Sequence, residues 1–430
     1  MKRYVMDDLV AWKGKSKRKP LIIRGARQVG KTWIMKEFGR LYFDNVAYIN
    51  FDNNKRMQTL FSGDYSISRL IEGLEVESNQ KISPNTTLII FDEVQEVHNA
   101  LSSLKYFYEN APNYAIISGG SLLGIAMGKG ISFPVGKVDN IELFPLNFCE
   151  FLEANGEGKL ANMLQNKDWE MAKVFKTKLI DLLRKYFFVG GMPEVVESYI
   201  DNNGYDEVRN LQNRILFDYE QDFGKHVPED IIPKVKSVWA NIPAQLAREK
   251  KKFSPGIIKK GSRLNEYEKA LQWLIDAGLI YRVGQITKPS LPLSSYDTNF
   301  FKIYIHDVGL LGAKSDLDVK TILEGDKIFA EFKGALTEQY VLQELKAKGI
   351  LAFYWASEAR AEVDFVFKVN GEVYPLEVKS EENLQSKSLK IYAEKYNPKL
   401  CLRTSMKDFR NDKWLENIPL YAIGNYFNES

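Results

Sequence analysis

Eight residues constrain this chain more than any other stretch: Gly25-Ala26-Arg27-Gln28-Val29-Gly30-Lys31-Thr32. They fit G-x-x-x-x-G-K-[ST]. They follow a short apolar run, Leu21–Arg24, and precede a helical pattern. Glycines at both ends of the loop let the backbone curl until its N–H groups face inward, towards a phosphate. The start of the following helix adds its positive end. Lys31 places a point charge on the outer phosphates, and the Thr32 hydroxyl is a ligand for Mg²⁺. The ligand this predicts is ATP with Mg²⁺, cradled by Gly25, Ala26, Arg27, Gln28, Val29, Gly30, Lys31 and Thr32.

A second motif belongs with the first. Thr87-Leu-Ile-Ile-Phe-Asp92-Glu93 is an apolar run that ends in two acids. Carboxylates at the end of a buried strand need a partner or a task. Asp92 is the candidate metal ligand beside Thr32. Glu93 is the candidate catalytic group, orienting or deprotonating the water that attacks the γ-phosphate. The next apolar run, Tyr114–Ile117, leads into Ser118-Gly119-Gly120-Ser121. A hydroxyl at Ser118 or Ser121 is placed to sense the γ-phosphate or to position that water.

Short β-branched runs at Leu21–Arg24, Val46–Phe51, Thr87–Phe91, Tyr114–Ile117 and Ile141–Leu143 alternate with helical stretches. The pattern predicts an α/β domain on a buried parallel sheet. Between about 150 and 285 the pattern turns helical, with breaks at Gly190-Gly191-Met192-Pro193 and around 202–204. Within it, a helix over 242–253 leads through Ser254-Pro255-Gly256 to a second helix, Leu264–Asp276, and then to a strand, Leu279–Val283. Helix, turn, helix, strand is the outline of a winged helix. Lys250-Lys251-Lys252 and Lys259-Lys260 flank it, as a solvated face or as contacts to nucleic-acid phosphate. Pro289 and Pro292 mark a linker.

The last hundred residues return to α/β texture. A helix is predicted over 330–348, strands near 351–355, 362–369, 372–378 and 400–403, and a helix near 384–396. Glu338 falls mid-helix, Asp364 on a strand, and Glu377-Val378-Lys379 at the end of the next. A turn at Asn370-Gly371 would fold the two strands together. Residues 377 and 379 then share a face beside Asp364. Asp364, Glu377 and Glu338 would supply oxygen ligands to Mg²⁺ or Mn²⁺, and Lys379 would orient water or stabilise charge, for phosphodiester hydrolysis. A solvated strand face with an ordinary ion pair fits the same residues.

Composition narrows the partners. The chain has 430 residues, room for two to three domains. Its 59 Lys and Arg balance 56 Asp and Glu, so a nucleic-acid surface must be a local patch such as Lys13–Lys19, which also reads as a solvated loop. Two cysteines and three scattered histidines exclude a disulfide framework and a histidine-built metal site. The N-terminus has no signal-peptide pattern, and the longest charge-free stretch, 111–128, holds a proline and four glycines. A cytoplasmic chain without a membrane span is expected.

GARQVGKT, TLIIFDEVQE, IISGGSLL and LFPLNFCEFL, in this order, resemble the AAA+-type ATP-binding protein family of bacteria and archaea, whose members carry a nuclease-like C-terminal domain. YFFVGGMPEVV, KKFSPGIIKKGSRLNEYEKALQWLIDAGLI, FKIYIHDVGLL, GALTEQYVLQEL and AEVDFVF with PLEVKS extend the resemblance along the chain. It implies a P-loop ATPase domain over 1–150, a helical, winged-helix-like middle over 151–300, and a PD-(D/E)XK, restriction-endonuclease-like domain over 301–430. It implies ATP hydrolysis with Mg²⁺, coupled to a nuclease-like domain directed at DNA or another nucleic acid. The alternative is a nucleotide-controlled DNA-binding or interaction switch without nuclease activity. Gly120 and Gly136-Lys137 depart from the family's pattern, where a hydroxyl residue and a Gly-Arg pair are usual. No arginine finger is therefore assigned, and completion of the site by a second copy in a homo-oligomer stays open.

Overall fold

The computed structural model describes residues 1–120, 125, 134–202, 204–325, 330–357, 361–380 and 386–427. It divides into two compact units, Arg3–Phe144 with Asp276–Leu279, and a larger one holding the remainder.

Among the described residues the smaller unit is built on five parallel strands, β1 (Leu21–Arg24), β2 (Asn45–Asn50), β3 (Thr87–Asp92), β4 (Ala115–Gly119) and β5 (Asp139–Glu142). Their order is β2-β3-β4-β1-β5. These are the five expected runs, shifted by a residue or two. Parallel strands buried on both faces carry continuous apolar runs, and every residue of β3 is buried. Helix α1 (Val5–Lys13) precedes the sheet, and the helices between its strands are α2 (Lys31–Tyr42), α3 (Lys55–Ser62), α4 (Ile67–Ser78) and α5 (His98–Asn110). Ile49, Phe51, Ile89, Phe91, Leu70, Leu74, Leu101 and Leu104 interlock in one apolar cluster. Each such side chain contributes about 1.5–3 kcal/mol by leaving water. Since β4 lies between β1 and β3, the C-terminal ends of β1 and β3 flank one crevice, the place where open α/β sheets bind ligands.

The basic run near the N-terminus is largely spent on local partners. Lys15 pairs with Asp139 at 3.0 Å, Lys19 donates to the Gly136 carbonyl at 2.8 Å, and Lys13 donates to the Tyr42 carbonyl. Those contacts favour the solvated-loop reading.

In the larger unit the helices are α6 (Phe148–Ala154), α7 (Gly158–Gln165), α8 (Trp169–Val174), α9 (Lys176–Val189), α10 (Pro193–Ile200), α11 (Gly204–His226), α12 (Ile232–Ala240), α13 (Ile242–Leu246), α14 (Pro255–Ile258), α15 (Glu268–Asp276, its last residue falling in the smaller unit), α16 (Val308–Lys314), α17 (Ala330–Ala347), α18 (Lys387–Tyr396) and α19 (Ile423–Tyr426). A buried knot explains the Gly190-Gly191 break. Gly190 adopts φ +74°, the Gly191 N–H donates to Asp307 Oδ2 at 2.7 Å, and the Leu146 N–H donates to the Gly191 carbonyl at 2.7 Å. Asp307 also caps α16 through the Leu310 N–H at 2.9 Å. Burial pushes the Asp307 carboxyl up to about 6. His306 is buried, 3.3 Å from the Tyr219 hydroxyl, which fits a structural role.

Among the described residues the sheet of this unit has eight strands: β6 (Ile280–Ile286), β7 (Asp297–Ile305), β8 (Ala352–Ala356), β9 (Glu362–Val369), β10 (Glu372–Val378), β11 (Cys401–Ser405), β12 (Arg410–Asp412) and β13 (Leu415–Pro419). Their order is β12-β13-β11-β10-β9-β8-β6-β7. Two features differ from the sequence reading. Pro289 and Pro292 lie in the connection of the β6–β7 hairpin, and β6 pairs with β8, so the sheet runs back across the expected boundary at 300. The helix expected over 242–253 stops at Leu246, and 247–254 is turn and loop. The hairpin at Asn370-Gly371 is present, with φ +48° and +85° as a two-residue turn with positive φ at both positions requires. Among the described residues no helix is long and apolar enough to cross a membrane.

Candidate functional site

The loop after β1 is curled by three left-handed residues: Gly25 at φ +145°, Gln28 at +66° and Gly30 at +93°. A Cβ at Gly25 would stand 2.2 Å from the Leu143 carbonyl oxygen, so glycine is required there by space as well as by φ. Gly30 is the residue that opens α2. Arg3 braces the loop, donating to the Val29 carbonyl at 3.3 Å and to the Phe144 carbonyl at 2.6 Å. Nothing in the motif itself points to Arg3.

Lys31 is buried, and its ammonium is bound by its own loop, at 2.9 Å from the Gly25 carbonyl and 2.7 Å from that of Ala26. Burial pushes its pKa down to about 8, against the pull of Glu93 and Asp92. Thr32 Oγ1 donates to Asp92 Oδ2 at 2.8 Å. The hydroxyl at the start of α2 and the acid at the end of β3 therefore meet across the crevice. Tyr48, on β2, donates to the same Asp92 oxygen at 2.8 Å. Its only sequence signal is a place on the strand next to β3.

Glu93 adopts φ +51°, a conformation that non-glycine residues rarely take and that functional sites often hold. Gln95 donates to Glu93 Oε2 at 2.6 Å and so fixes the carboxylate direction. Ser118 is not brought to the crevice. It is fully buried, and its hydroxyl donates to the Leu21 carbonyl at 3.2 Å. Ser121 lies outside the described residues. Lys137 is held by Glu109 at 2.9 Å. A loop curled by left-handed residues, a buried ammonium, and paired hydroxyl and carboxylate oxygens fit a nucleotide phosphate with Mg²⁺.

The C-terminal acids also meet. In the β9–β10 hairpin Leu376 pairs with Phe365, and the same register sets Glu377 opposite Asp364, on one face. Asp364 Oδ2 accepts the Val378 N–H at 2.8 Å. Glu338, on α17, reaches the same place. Burial, then the Glu338 charge, pushes the Asp364 carboxyl up to about 8. Yet among the described residues no three Asp, Glu, His or Cys side chains are arranged to hold a metal ion. The expected ligand set of Glu338, Asp364 and Glu377 is therefore not assembled as such, because lysines occupy it. Lys251 Nζ bonds to Glu338 Oε1, the Tyr304 hydroxyl donates to Glu338 Oε2 at 3.0 Å, and Lys302 Nζ stands 3.8 Å from that oxygen and 2.6 Å from Glu362. Lys379 takes Glu377 Oε1 at 2.6 Å, while Glu377 Oε2 is buried with no hydrogen-bond partner among the described residues. Burial opposes the Lys302 ammonium, but Tyr304 and then Glu338, Glu362 and Asp364 outweigh it and hold its pKa well above the usual lysine range. Lys302 and Lys251 were not legible as members of this site, since one precedes Asp364 by 62 residues and the other by 113.

Comparison with known families matches residues 17–152 to an AAA domain, 180–321 to a domain of unknown function (DUF8612), and 333–423 to another (DUF4143). The C-terminal match thus does not bring the nuclease-like identity that the resemblance implies. No curated protein matches the chain. Among solved structures, the Walker-type ATPase of Pyrococcus abyssi is 14% identical, over 73% of this chain and 95% of that one, at TM-score 0.46. The Aeropyrum pernix ORC1 protein in complex with DNA is 11% identical over 73% and 90%, at 0.27. Drosophila ORC bound to DNA is 12% identical over 69% and 90%, also at 0.27. At these scores the structural likeness adds nothing to the family match. Residues 17–152, with their P-loop geometry, are an AAA-type P-loop ATPase domain.

Proposed function

We propose that the smaller unit binds and hydrolyses ATP, and that Lys31, Thr32, Asp92 and Glu93 carry the reaction. The observation that carries the reading is the meeting of Thr32 with Asp92 at 2.8 Å, although β4 lies between the strand that precedes the lysine-bearing loop and the strand that ends in Asp92. The main-chain N–H groups of the loop hold the phosphates, and Lys31 exchanges its two carbonyl partners for phosphate oxygens. Thr32 and Asp92 are the residues that would hold Mg²⁺. When bound, the ion offsets the negative charge of the outer phosphates. Glu93, aimed by Gln95, orients the attacking water and accepts its proton. The test is phosphate release from ATP by the wild-type chain beside Glu93→Gln. A wild-type protein that binds ATP and releases no phosphate overturns the reading.

We propose further that the larger unit directs this ATPase to nucleic acid, most simply DNA. Two features support it. The order helix, three strands, helix, strand over α17, β8, β9, β10, α18 and β11, with Glu338, Asp364, Glu377 and Lys379 on it, suits a nuclease-like domain. The run α13, α14, α15 and the β6–β7 hairpin suits a winged helix. Lysines already neutralising the acids favour binding without cleavage in this state. Lys251 is turned inward, leaving Lys250, Lys252, Lys259 and Lys260 for phosphates. Replacing these four by Ala should flatten the fall of log affinity with log salt by about 0.9 for each phosphate that is no longer neutralised. An unchanged slope on duplex DNA would remove them from the interface.

A further inference from the structure

Asp92 is held by more than the Thr32 hydroxyl. An ionised carboxylate has about four acceptor positions, two on each oxygen. Oδ2 takes two hydroxyls, Thr32 Oγ1 and the Tyr48 phenol, each at 2.8 Å. Oδ1 takes the Glu93 N–H at 3.2 Å. The three donors come from three places: Thr32 from the start of α2, Tyr48 from β2, and Glu93 from the residue after β3. Across the β2–β3 ladder Tyr48 pairs with Ile90, so Asp92 lies two residues further along the same face. Two residues of a parallel strand rise about 6.6 Å, a distance that a tyrosine side chain can span. From the α2 side, the Lys36 ammonium stands 3.7 Å from the centre of the Tyr48 ring and holds it in place.

The two hydroxyls on Oδ2 do not have the same task. Thr32 has a second one, since its lone pairs are there for Mg²⁺. Tyr48 has only the first. With Thr32 as sole donor to Oδ2, the Asp92 carboxylate could swing about its own side-chain bond. A second hydroxyl from the neighbouring strand fixes the plane of the carboxylate before any ligand arrives.

We infer that Tyr48 is a positioning residue of the ATP site: its hydroxyl fixes the Asp92 carboxylate so that Asp92 and Thr32 together can hold the divalent ion that accompanies the nucleotide. The inference rests on the reading of the smaller unit as an ATPase. Groups that orient a metal ligand without touching the metal are commonly worth about ten- to a hundredfold in metal affinity.

The experiment is Mn²⁺ binding to the full-length protein with one equivalent of ADP, followed by electron paramagnetic resonance, for wild type and Tyr48→Phe. The substitution keeps the ring under Lys36 and removes the hydroxyl alone. Thr32 still donates to Oδ2, so the buried carboxylate is not left bare and the variant keeps its fold. Tyr48→Phe should need about tenfold more Mn²⁺ for half-saturation. Its affinity for ADP in EDTA should equal that of wild type, because the loop over 25–30 and Lys31 are untouched. A tyrosine that merely packs would change neither quantity, or both by one factor. In an Asp92→Ala background the same substitution should change Mn²⁺ binding by about twofold or less, since the hydroxyl acts through the carboxylate. The inference is overturned if Tyr48→Phe takes up Mn²⁺ as tightly as wild type, if its metal-free ADP affinity falls by the same factor, or if the full loss recurs without Asp92. A wild type that takes up no Mn²⁺ with ADP overturns the ATPase reading, and this inference with it. Mn²⁺ held by wild type but no ATP hydrolysed would fail the ATPase reading alone, and Tyr48 would keep its role.

Discussion

Glu93→Gln should bind ATP as wild type does and hydrolyse it about a hundredfold or more slowly. The substitution keeps the side-chain length and can keep a hydrogen bond to Gln95 if that amide turns. It removes the base. Binding belongs to the loop over 25–30 and to Lys31, which the change does not touch. The backbone at Glu93 is held at φ +51°, and Gln95 fixes its carboxylate at 2.6 Å, so the group is positioned before substrate arrives. Fluorescent-nucleotide binding and phosphate release, measured on one preparation, separate the two effects. Hydrolysis at the wild-type rate would remove Glu93 from its role. Weakened binding with unchanged turnover would assign it to the cradle instead.

The second large effect is on stability. Gly191→Ala should destabilise the larger unit by about 3 kcal/mol or more. The added Cβ would lie 2.1 Å from the Leu146 carbonyl oxygen and 2.8 Å from its nitrogen. Those are backbone atoms and cannot rotate aside. Separating them would strain the Leu146 N–H bond to the Gly191 carbonyl and the Gly191 N–H bond to Asp307. Asp307 would lose a donor while staying buried, the costly way to break a hydrogen bond. Gly158→Ala is the control. It sits at the start of α7 with nothing within 4 Å of its Cβ, and should be neutral or stabilise by about 0.5–1 kcal/mol. Chemical denaturation followed by tryptophan fluorescence measures both. Equal midpoints for the two variants would mean that the Gly191 knot does not hold the unit together.

What could be read from the sequence was what depends on local order. Gly25, Gly30, Lys31 and Thr32 fall within eight consecutive residues, and Asp92-Glu93 ends a run of apolar residues that suits a buried strand. Parallel strands leave that signature because both faces are covered. The hairpin at Asn370-Gly371 was legible for a similar reason, since its turn needs two residues that tolerate positive φ. What could not be read depends on residues far apart in the chain. Tyr48 and Arg3 reach the P-loop region through the sheet and a main-chain brace, with no spacing rule to announce them. Ser118 looked like a sensor because it ends a strand, but the register sets its hydroxyl against the Leu21 carbonyl. Prolines at 289 and 292 looked like a linker because they cannot serve a central strand, and they serve a hairpin connection equally well. β12 was missed because it is three polar residues at the sheet's edge, and β13 because Glu416 and Asn417 interrupt its apolar run. The C-terminal acids and Lys379 were found, but the other lysine partners come from β7 and from the 247–254 segment. A cluster of acids in sequence therefore suggested a metal, where the folded chain supplies ammonium.

The loop over 25–32 is proposed as a working ATP site. Equilibrium binding of ATP with Mg²⁺, to wild type and to Lys31→Ala at matched folding, tests it most directly. Lys31 is the buried positive charge of the cradle, and its ammonium now rests on the Gly25 and Ala26 carbonyls at 2.9 and 2.7 Å. Saturable one-to-one binding by wild type, weakened about a hundredfold or more in Lys31→Ala, about 2.7 kcal/mol or more, is the predicted result. Binding of equal strength by the two proteins, or no binding by wild type, would contradict it.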